Sequence, residues 1–204
     1  MTQINFTDIN KVRLQFYGVK PQRLCSVDSN FEAIVSRALE FTNNVIDYRT
    51  QPFETKYIDH ENKKRSYRPD ILVKAASQQL YAVEVKPERF SLSSAFKLKH
   101  DILKKHFREN LGIELKLITE TAFSESFLSN TAMLYPHKRS PLEDSDIAFN
   151  RKIRGARLTF EELQEAVITD GLDLCLAHKL VAHNRVLFNI NAAWDPTQEM
   201  EVAA

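Results

Sequence analysis

Glycine and cysteine are scarce in this chain, with four and two among 204 residues. So few glycines exclude a Gly-rich phosphate-binding loop. Cys25 and Cys175 lie far apart and form no metal-ligand cluster, so a reduced intracellular setting is expected. No apolar run approaches the ~20 residues that a membrane helix needs. The opening Met1-Thr2-Gln3-Ile4-Asn5 has no basic-then-apolar signal. A cytoplasmic protein with no membrane partner is expected. Internal repeats are absent. Neither charge dominates: 28 Lys and Arg face 27 Asp and Glu, a formal net charge of +1. Any surface for nucleic acid must therefore be local.

What is present is a globular composition, 43% hydrophobic and 27% charged. The length suits one domain, or one with a small appendage. Residues 1–26 carry little periodic signal, and Lys11, Arg13, Lys20 and Arg23 make them a basic arm. Phe31, Ile34, Val35, Ala38 and Leu39 recur at helical spacing, and Ser29-Asn30-Phe31-Glu32 is a capping box, so a helix is expected over Ser29 to Phe41. Val45 to Tyr57 reads as extended, with Pro52 at a bend. His60 to Arg65 is a polar turn.

The chemistry is concentrated in Pro69-Asp70, followed after a short gap by Glu84-Val85-Lys86. Apolar runs Ile71 to Val73 and Leu80 to Val85 flank the polar Ala75 to Gln79, a hairpin pattern. A turn centred on Ser77 pairs residues whose numbers sum to about 154. Asp70 then lies opposite Glu84. Alternation puts Glu84 and Lys86 on one face and Tyr81, Val83 and Val85 on the other. Two hard carboxylates and a lysine converging at one end of a hairpin suit Mg²⁺-assisted hydrolysis of a phosphodiester. The lysine can orient water or stabilise developing charge. The carbonyl of Val85 is a further candidate ligand, and Mn²⁺ would be accepted in place of Mg²⁺. An ordinary amphipathic hairpin with a surface ion pair is the plain alternative.

Beyond Pro87, a second helix is expected over Ser94 to Asn110, ended by Leu111-Gly112. Its buried face is Phe96, Ile102, Leu103 and Phe107. Lys97, Lys99, Lys104, Lys105 and Arg108 make its other face basic, either a phosphate-tracking surface or a solvated one. Ile113 to Thr119 alternates as a strand. From Phe123 to Ile153 the pattern weakens, with Pro136 and Pro141 reading as loops around short helices. Thr159-Phe160-Glu161-Glu162 starts a helix. Helices over Phe160 to Thr169 and Leu172 to Ala182, then a strand-like Val186 to Ile190, read as a reduced winged-helix unit. The tail from Trp194 reads as loose. His178 and His183 stand five positions apart, poor spacing for one helical metal face. The expected fold is α/β, a mixed sheet flanked by helices. The expected domains are an arm at 1–26, a nuclease domain at 27–150 and a small partner-binding unit at 151–204.

This constellation resembles the restriction-endonuclease-like, PD-(D/E)xK nuclease superfamily. Within it the chain resembles TnsA, the endonuclease subunit of heteromeric cut-and-paste transposases. The resemblance runs from Val27 to Glu120, through Asn30-Phe31-Glu32, Arg49-Thr50-Gln51-Pro52-Phe53, Tyr67-Arg68-Pro69-Asp70, Val83-Glu84-Val85-Lys86-Pro87 and Ile118-Thr119-Glu120. A weaker echo covers His178-Lys179-Leu180 and Val186 to Ile190. It implies that Glu32 joins Asp70, Glu84 and Lys86 in the active site and near the metal, and that Gln51 approaches it. It implies double-stranded DNA as substrate, with cutting at the 5′ ends of a transposon on the nucleoid. It also implies a TnsB-like transposase and a TnsC-like ATPase as partners. The chain is short for the family, which implies a trimmed C-terminal unit. A stand-alone phage or restriction-type nuclease, a junction resolvase, and an inactive adaptor are the competing readings.

Overall fold

The computed structural model describes residues 13–203. The chain divides into two compact units, Met1–Ala122 and Phe123–Ala204. The boundary expected at residue 150 falls inside a helix, and the chain's contacts divide it nearer 122. No helix among the described residues is long and apolar enough to cross a membrane.

The first unit opens with strands β1 (Leu14–Gly18) and β2 (Arg23–Val27), an antiparallel hairpin. Over residues 13–26, where a basic arm was expected from sequence, the chain is a paired hairpin; Lys11 lies outside the described residues. Lys20 and Arg23 are used structurally. The Lys20 ammonium donates to the carbonyls of Leu39 and Thr42 at 2.7 and 2.6 Å, ending the next helix. Helix α1 (Asn30–Phe41) is capped by Ser29, whose hydroxyl accepts from the Glu32 N–H. Its buried Glu40 accepts from the Tyr48 hydroxyl and from the N–H groups of Val19 and Lys20. One buried carboxylate thus ties hairpin, helix and sheet.

The sheet follows: β3 (Val45–Thr50), β6 (Ile71–Ala75), β7 (Leu80–Val85) and β8 (Glu114–Ile118), in that spatial order. The β3–β6 and β6–β7 pairs are antiparallel and β7–β8 is parallel. This mixed α/β arrangement is that of a restriction-endonuclease-like core. Strands β4 (Thr55–Ile58) and β5 (Lys64–Tyr67) form a separate hairpin between β3 and β6. The crossover from β7 to β8 carries the short α2 (Glu88–Ser91), then α3 (Ser94–His106). A π turn, Phe107–Leu111, extends α3 and ends at Gly112 in the left-handed region.

Both faces of the sheet are covered. Helix α1 packs on the face of Tyr48, Val73, Val83 and Val85. Tyr81 shares that face but remains half-exposed at its edge. The other face carries Ala82 and Leu115 under Tyr57, Tyr67, Leu103 and Phe107. Phe107 is fully buried, stacked on Phe53 and met edge-on by Tyr67.

In the second unit, a 15-residue helix α4 (Glu125–Arg139) stands where loops around short helices were expected. Pro136 is tolerated inside its last turns. Helix α5 (Asp144–Lys152) begins at a run of acidic residues, with a capping box between Glu143 and Asp146. Then come β9 (Arg157–Leu158), α6 (Phe160–Thr169), α7 (Cys175–Ala182), β10 (Val186–Leu187) and β11 (Met200–Val202). The three strands form one antiparallel sheet with β11 central. Helix, strand, two helices and a returning hairpin is winged-helix order. The tail is not loose: Trp194 packs on Phe160 and Phe188, and Met200 and Val202 are buried.

Replacing Phe107 with alanine should destabilise the first unit by about 3–5 kcal/mol, because the ring is enclosed on all sides. Urea denaturation followed by a probe in that unit checks this. A loss under about 1 kcal/mol would mean that the aromatic layer is not its core.

Candidate active site

The β6–β7 register is the one that the turn dictates. Ile71 pairs Val83, and Lys74 pairs Leu80. The turn closes through the Ala75 N–H donating to the Gln79 carbonyl, with Gln78 in the left-handed region. The regular pairing ends at Ile71 and Val83, and Asp70 lies just beyond it, close enough to Glu84 for the two charges to interact. The Asp70 N–H donates to the Val83 carbonyl at 3.0 Å, and the Val85 N–H donates to Asp70 Oδ2 at 2.7 Å. The aspartate side chain therefore takes the bond that a β6 carbonyl would have taken, which fixes its rotamer at the strand's mouth.

Two carboxylates side by side in a partly buried cleft repel. Burial, then the charge of Glu84, holds the Asp70 carboxyl up at about 7, with Glu32 adding to the rise. The Val85 N–H and the Lys86 ammonium oppose that shift without cancelling it. Lys86 follows Glu84 on the same face, half-buried, its Nζ 6.0 Å from the centre of the Phe96 ring.

Tyr67 is a candidate site residue that sequence reasoning missed. It was visible only as one letter of Tyr-Arg-Pro-Asp. In the structure it ends β5 with its ring buried and its hydroxyl donating to Glu84 Oε2. Burial and the neighbouring Glu84 hold the phenol well above its ordinary range, so it is a donor at every physiological pH. The Lys99 ammonium lies 5.5 Å from the Tyr67 ring centre, bringing α3 to the site.

Glu32 is placed differently from the other three. Its oxygens accept from the Asp28 N–H at 3.0 Å and from the Ser29 hydroxyl at 2.7 Å. Both oxygens serve the helix start, and the charge reaches Asp70 only at longer range. Among the described residues no three His, Cys, Asp or Glu side chains gather closely enough to hold a metal ion. The atoms that fit one are the carboxylates of Asp70 and Glu84 and the carbonyl of Val85. That residue's N–H and C=O both point along the pairing direction toward Asp70. Two hard carboxylates suit Mg²⁺, which keeps several of its own waters. The mutual repulsion of Asp70 and Glu84 is what a cation would relieve.

Gln51 sits beside this cluster, its N–H donating to the Asp70 carbonyl at 2.7 Å. Its φ of 45° is left-handed, rare for a residue preceding proline. Local strain is thus stored next to Asp70. Lys97, Lys104, Lys105 and Arg108 are exposed on α3 and its π extension, with Arg108 4.0 Å from Glu109. Glu120 serves the fold, since its carboxylate accepts from the Glu88 N–H at 2.7 Å and so caps α2. In the second unit the His178 ring is stacked on His137, and His183 Nε2 contacts the Ser140 carbonyl at 2.9 Å.

Residues 42–120 match a protein-family model described as the TnsA-like endonuclease N terminal. The matched segment contains Gln51, Tyr67, Asp70, Glu84 and Lys86 and leaves Glu32 outside. No curated protein matches the chain.

Asp70 has a folded-state pKa above the ~3.9 of an unfolded chain, so the folded protein holds more protons between those values. Without divalent metal, its contribution to stability must fall as pH rises from about 4 to 7. Asp70→Asn, which keeps an acceptor for Val85, should be more stable than wild type by about 2–4 kcal/mol at pH 8, the gap closing toward pH 4. Denaturation in EDTA across that range checks it, and a gap independent of pH would contradict the assignment. Tyr67→Phe should leave the fold intact while loosening Glu84, lowering divalent-metal affinity by roughly tenfold, the worth of one charged hydrogen bond. Calorimetric titration measures this.

Proposed function

Since residues 42–120 form a TnsA-like endonuclease domain, we propose that the chain is the metal-dependent endonuclease subunit of a heteromeric cut-and-paste transposase. It cleaves double-stranded DNA at the 5′ ends of the transposon, leaving 5′-phosphate and 3′-hydroxyl products. A TnsB-like transposase and a TnsC-like ATPase are its partners. The observation that supports this reading is the closeness of the Asp70 and Glu84 carboxylates at one end of β6 and β7, where burial and then the charge of Glu84 hold the Asp70 carboxyl up at about 7.

Asp70, Glu84 and the Val85 carbonyl hold Mg²⁺, with Mn²⁺ an acceptable substitute. A bound divalent cation supplies Lewis-acid charge at the phosphate and a more acidic water. Lys86 holds the attacking water in line, or the charge that develops on the phosphate oxygens. Tyr67 keeps one oxygen of Glu84 occupied, so the other is presented to the site. Glu32 acts through its charge, raising the appetite of Asp70 for a cation, while it starts α1. Gln51 stands at the cleft's edge, within reach of the phosphate that Asp70 faces. The basic face of α3, with Lys97, Lys104, Lys105 and Arg108, tracks the duplex. The protein works in the cytoplasm, on the nucleoid.

Titration with Mg²⁺ or Mn²⁺ should give one binding event that weakens at least tenfold in Asp70→Asn and survives in Glu32→Gln. Cleavage of a labelled transposon-end duplex should need Mg²⁺ and both partners, and disappear in Asp70→Asn. Cutting by the chain alone would favour an autonomous nuclease. Metal binding without any cutting, partners included, would favour the adaptor. Unchanged cutting by Asp70→Asn would remove this site from the chemistry.

A further inference from the structure

The acidic site occupies one end of its sheet face, and that face continues beyond it. Alternation along β6 puts Leu72 and Lys74 on the side of Asp70. Pairing then puts Arg49 of β3 abreast of Leu72, Asp47 abreast of Lys74, and Leu80 of β7 on the other flank of Lys74. These side chains, with Arg23 reaching over from β2, line an open trough of about 260 Å³. The aromatic layer of Tyr57, Tyr67 and Phe107 covers Ala82 and Leu115 on the inner strands of this face. The trough lies on its outer side, along edge strand β3.

The charge pattern of the trough is asymmetric. Its one acid, Asp47, accepts two bonds from Arg23 at 3.0 and 3.2 Å, and Arg23 is itself held by the Pro21 carbonyl at 2.9 Å. The acid is therefore fixed and neutralised. Arg49 is exposed and Lys74 half-exposed, and neither has an acidic partner among the described residues. Two unpaired cations thus line a floor that Leu72 and Leu80 make apolar. Such a surface suits a chain of alternating anionic and apolar groups.

Spacing ties the trough to the cut. Leu72 and Lys74 stand about 7 and 13 Å from Asp70 along the strand, at ~3.3 Å per residue. Phosphates of one DNA strand recur every ~3.4 Å of helix axis. A strand seated at Asp70 and Glu84 would carry its next few phosphates over Arg49 and Lys74. We propose that this trough seats the sugar–phosphate backbone of the DNA flanking the scissile bond, Arg49 and Lys74 each neutralising a phosphate. The proposal rests on the nuclease reading of Asp70 and Glu84. Arg49 offers a forked guanidinium and Lys74 a point charge. Such contacts fix register and orientation and read no sequence. The trough would set where along the duplex the cut falls, while sequence choice would come from elsewhere.

The test uses the full chain carrying Asp70→Asn, which can bind without cutting. Its affinity for a duplex of about 30 base pairs, long enough to span the trough and its flanks, is measured across salt concentrations. The same chain with Arg49→Gln and Lys74→Gln should show a log-affinity against log-salt slope shallower by about 1.8, two lost phosphate contacts at ~0.9 each. The loss should be equal on unrelated sequences. Removing two charges at Lys152 and Arg157 instead should leave the slope unchanged. An unchanged slope in the trough variant overturns the proposal, as does an equal change in the Lys152 and Arg157 variant. Absence of binding at every salt concentration also overturns it. The metal titration of the preceding section, which needs no DNA, then tells whether the nuclease reading has failed with it.

Discussion

The repulsion between Asp70 and Glu84 is the constraint around which the first unit is organised. Two carboxylates close together at one end of paired strands, partly shielded from water, would separate or neutralise if they were free to. They are not free. Asp70 is held by the Val85 N–H and by its own backbone bond to Val83. Glu84 is held by Tyr67, which is held in turn by the aromatic layer beneath α3. Each holding bond is short and partly buried, so neither side chain escapes by rotation. A cation or a proton must relieve the pair, and Asp70 near neutrality is poised between the two. Divalent-metal affinity should therefore fall as pH drops below about 7, through proton competition at one oxygen pair.

The part of this arrangement legible in the sequence is the part fixed by local rules. Strand alternation and the length of the Ala75 to Gln79 turn specify the register from Ile71 to Lys74, and that register brings Asp70 and Glu84 to the same end of the hairpin. The Ser29 cap and the ends of α1, α6 and β8 are likewise local, although Glu32 bonds the Asp28 N–H where a capping box would bond that of Ser29. What was hidden depends on tertiary partners. The Lys20 ammonium reads as a basic arm until the last carbonyls of α1 are seen to need a donor. Helix α4 was masked by Pro136 and by a sequence lacking one clear apolar stripe, yet its Phe127, Asn130, Thr131 and Leu134 are buried. Trp194 looked like tail because its partners, Phe160 and Phe188, come from elements on either side of α7. Tyr67 carried a faint signal: it is the one bulky aromatic in the otherwise polar Lys64–Tyr67 strand, and it is the residue of that strand that is buried.

Glu32 separates two kinds of reasoning. Helix-start chemistry accounts for the residue: the Glu32 carboxylate accepts from the Asp28 N–H and from the Ser29 hydroxyl at the helix entrance. Placement near a metal was implied by resemblance alone. Both roles draw on the same two oxygens, so a close ligand role would release one cap bond. Influence through space costs the cap nothing and is already felt at Asp70. The helix N-terminus benefits from the same negative charge, so one carboxylate serves fold and site without moving.

The second unit has winged-helix order without a free recognition helix. Helix α7 occupies the position from which such units usually enter a DNA groove. Yet Leu176, Ala177, Leu180, Val181 and Ala182 are buried, α4 packs along the helix, and the Lys138 ammonium donates to the Ala182 carbonyl at 2.8 Å. A helix with only Cys175 fully exposed cannot present a row of side chains to base edges. The unit keeps the topology and has turned its usual reading element inward. Under the proposed function, sequence choice would then fall to a partner, and the nuclease unit would need only to hold a backbone in place. The proposed phosphate contacts beside two carboxylates would be sufficient for that, because positioning along a duplex requires charge and spacing and no knowledge of the bases.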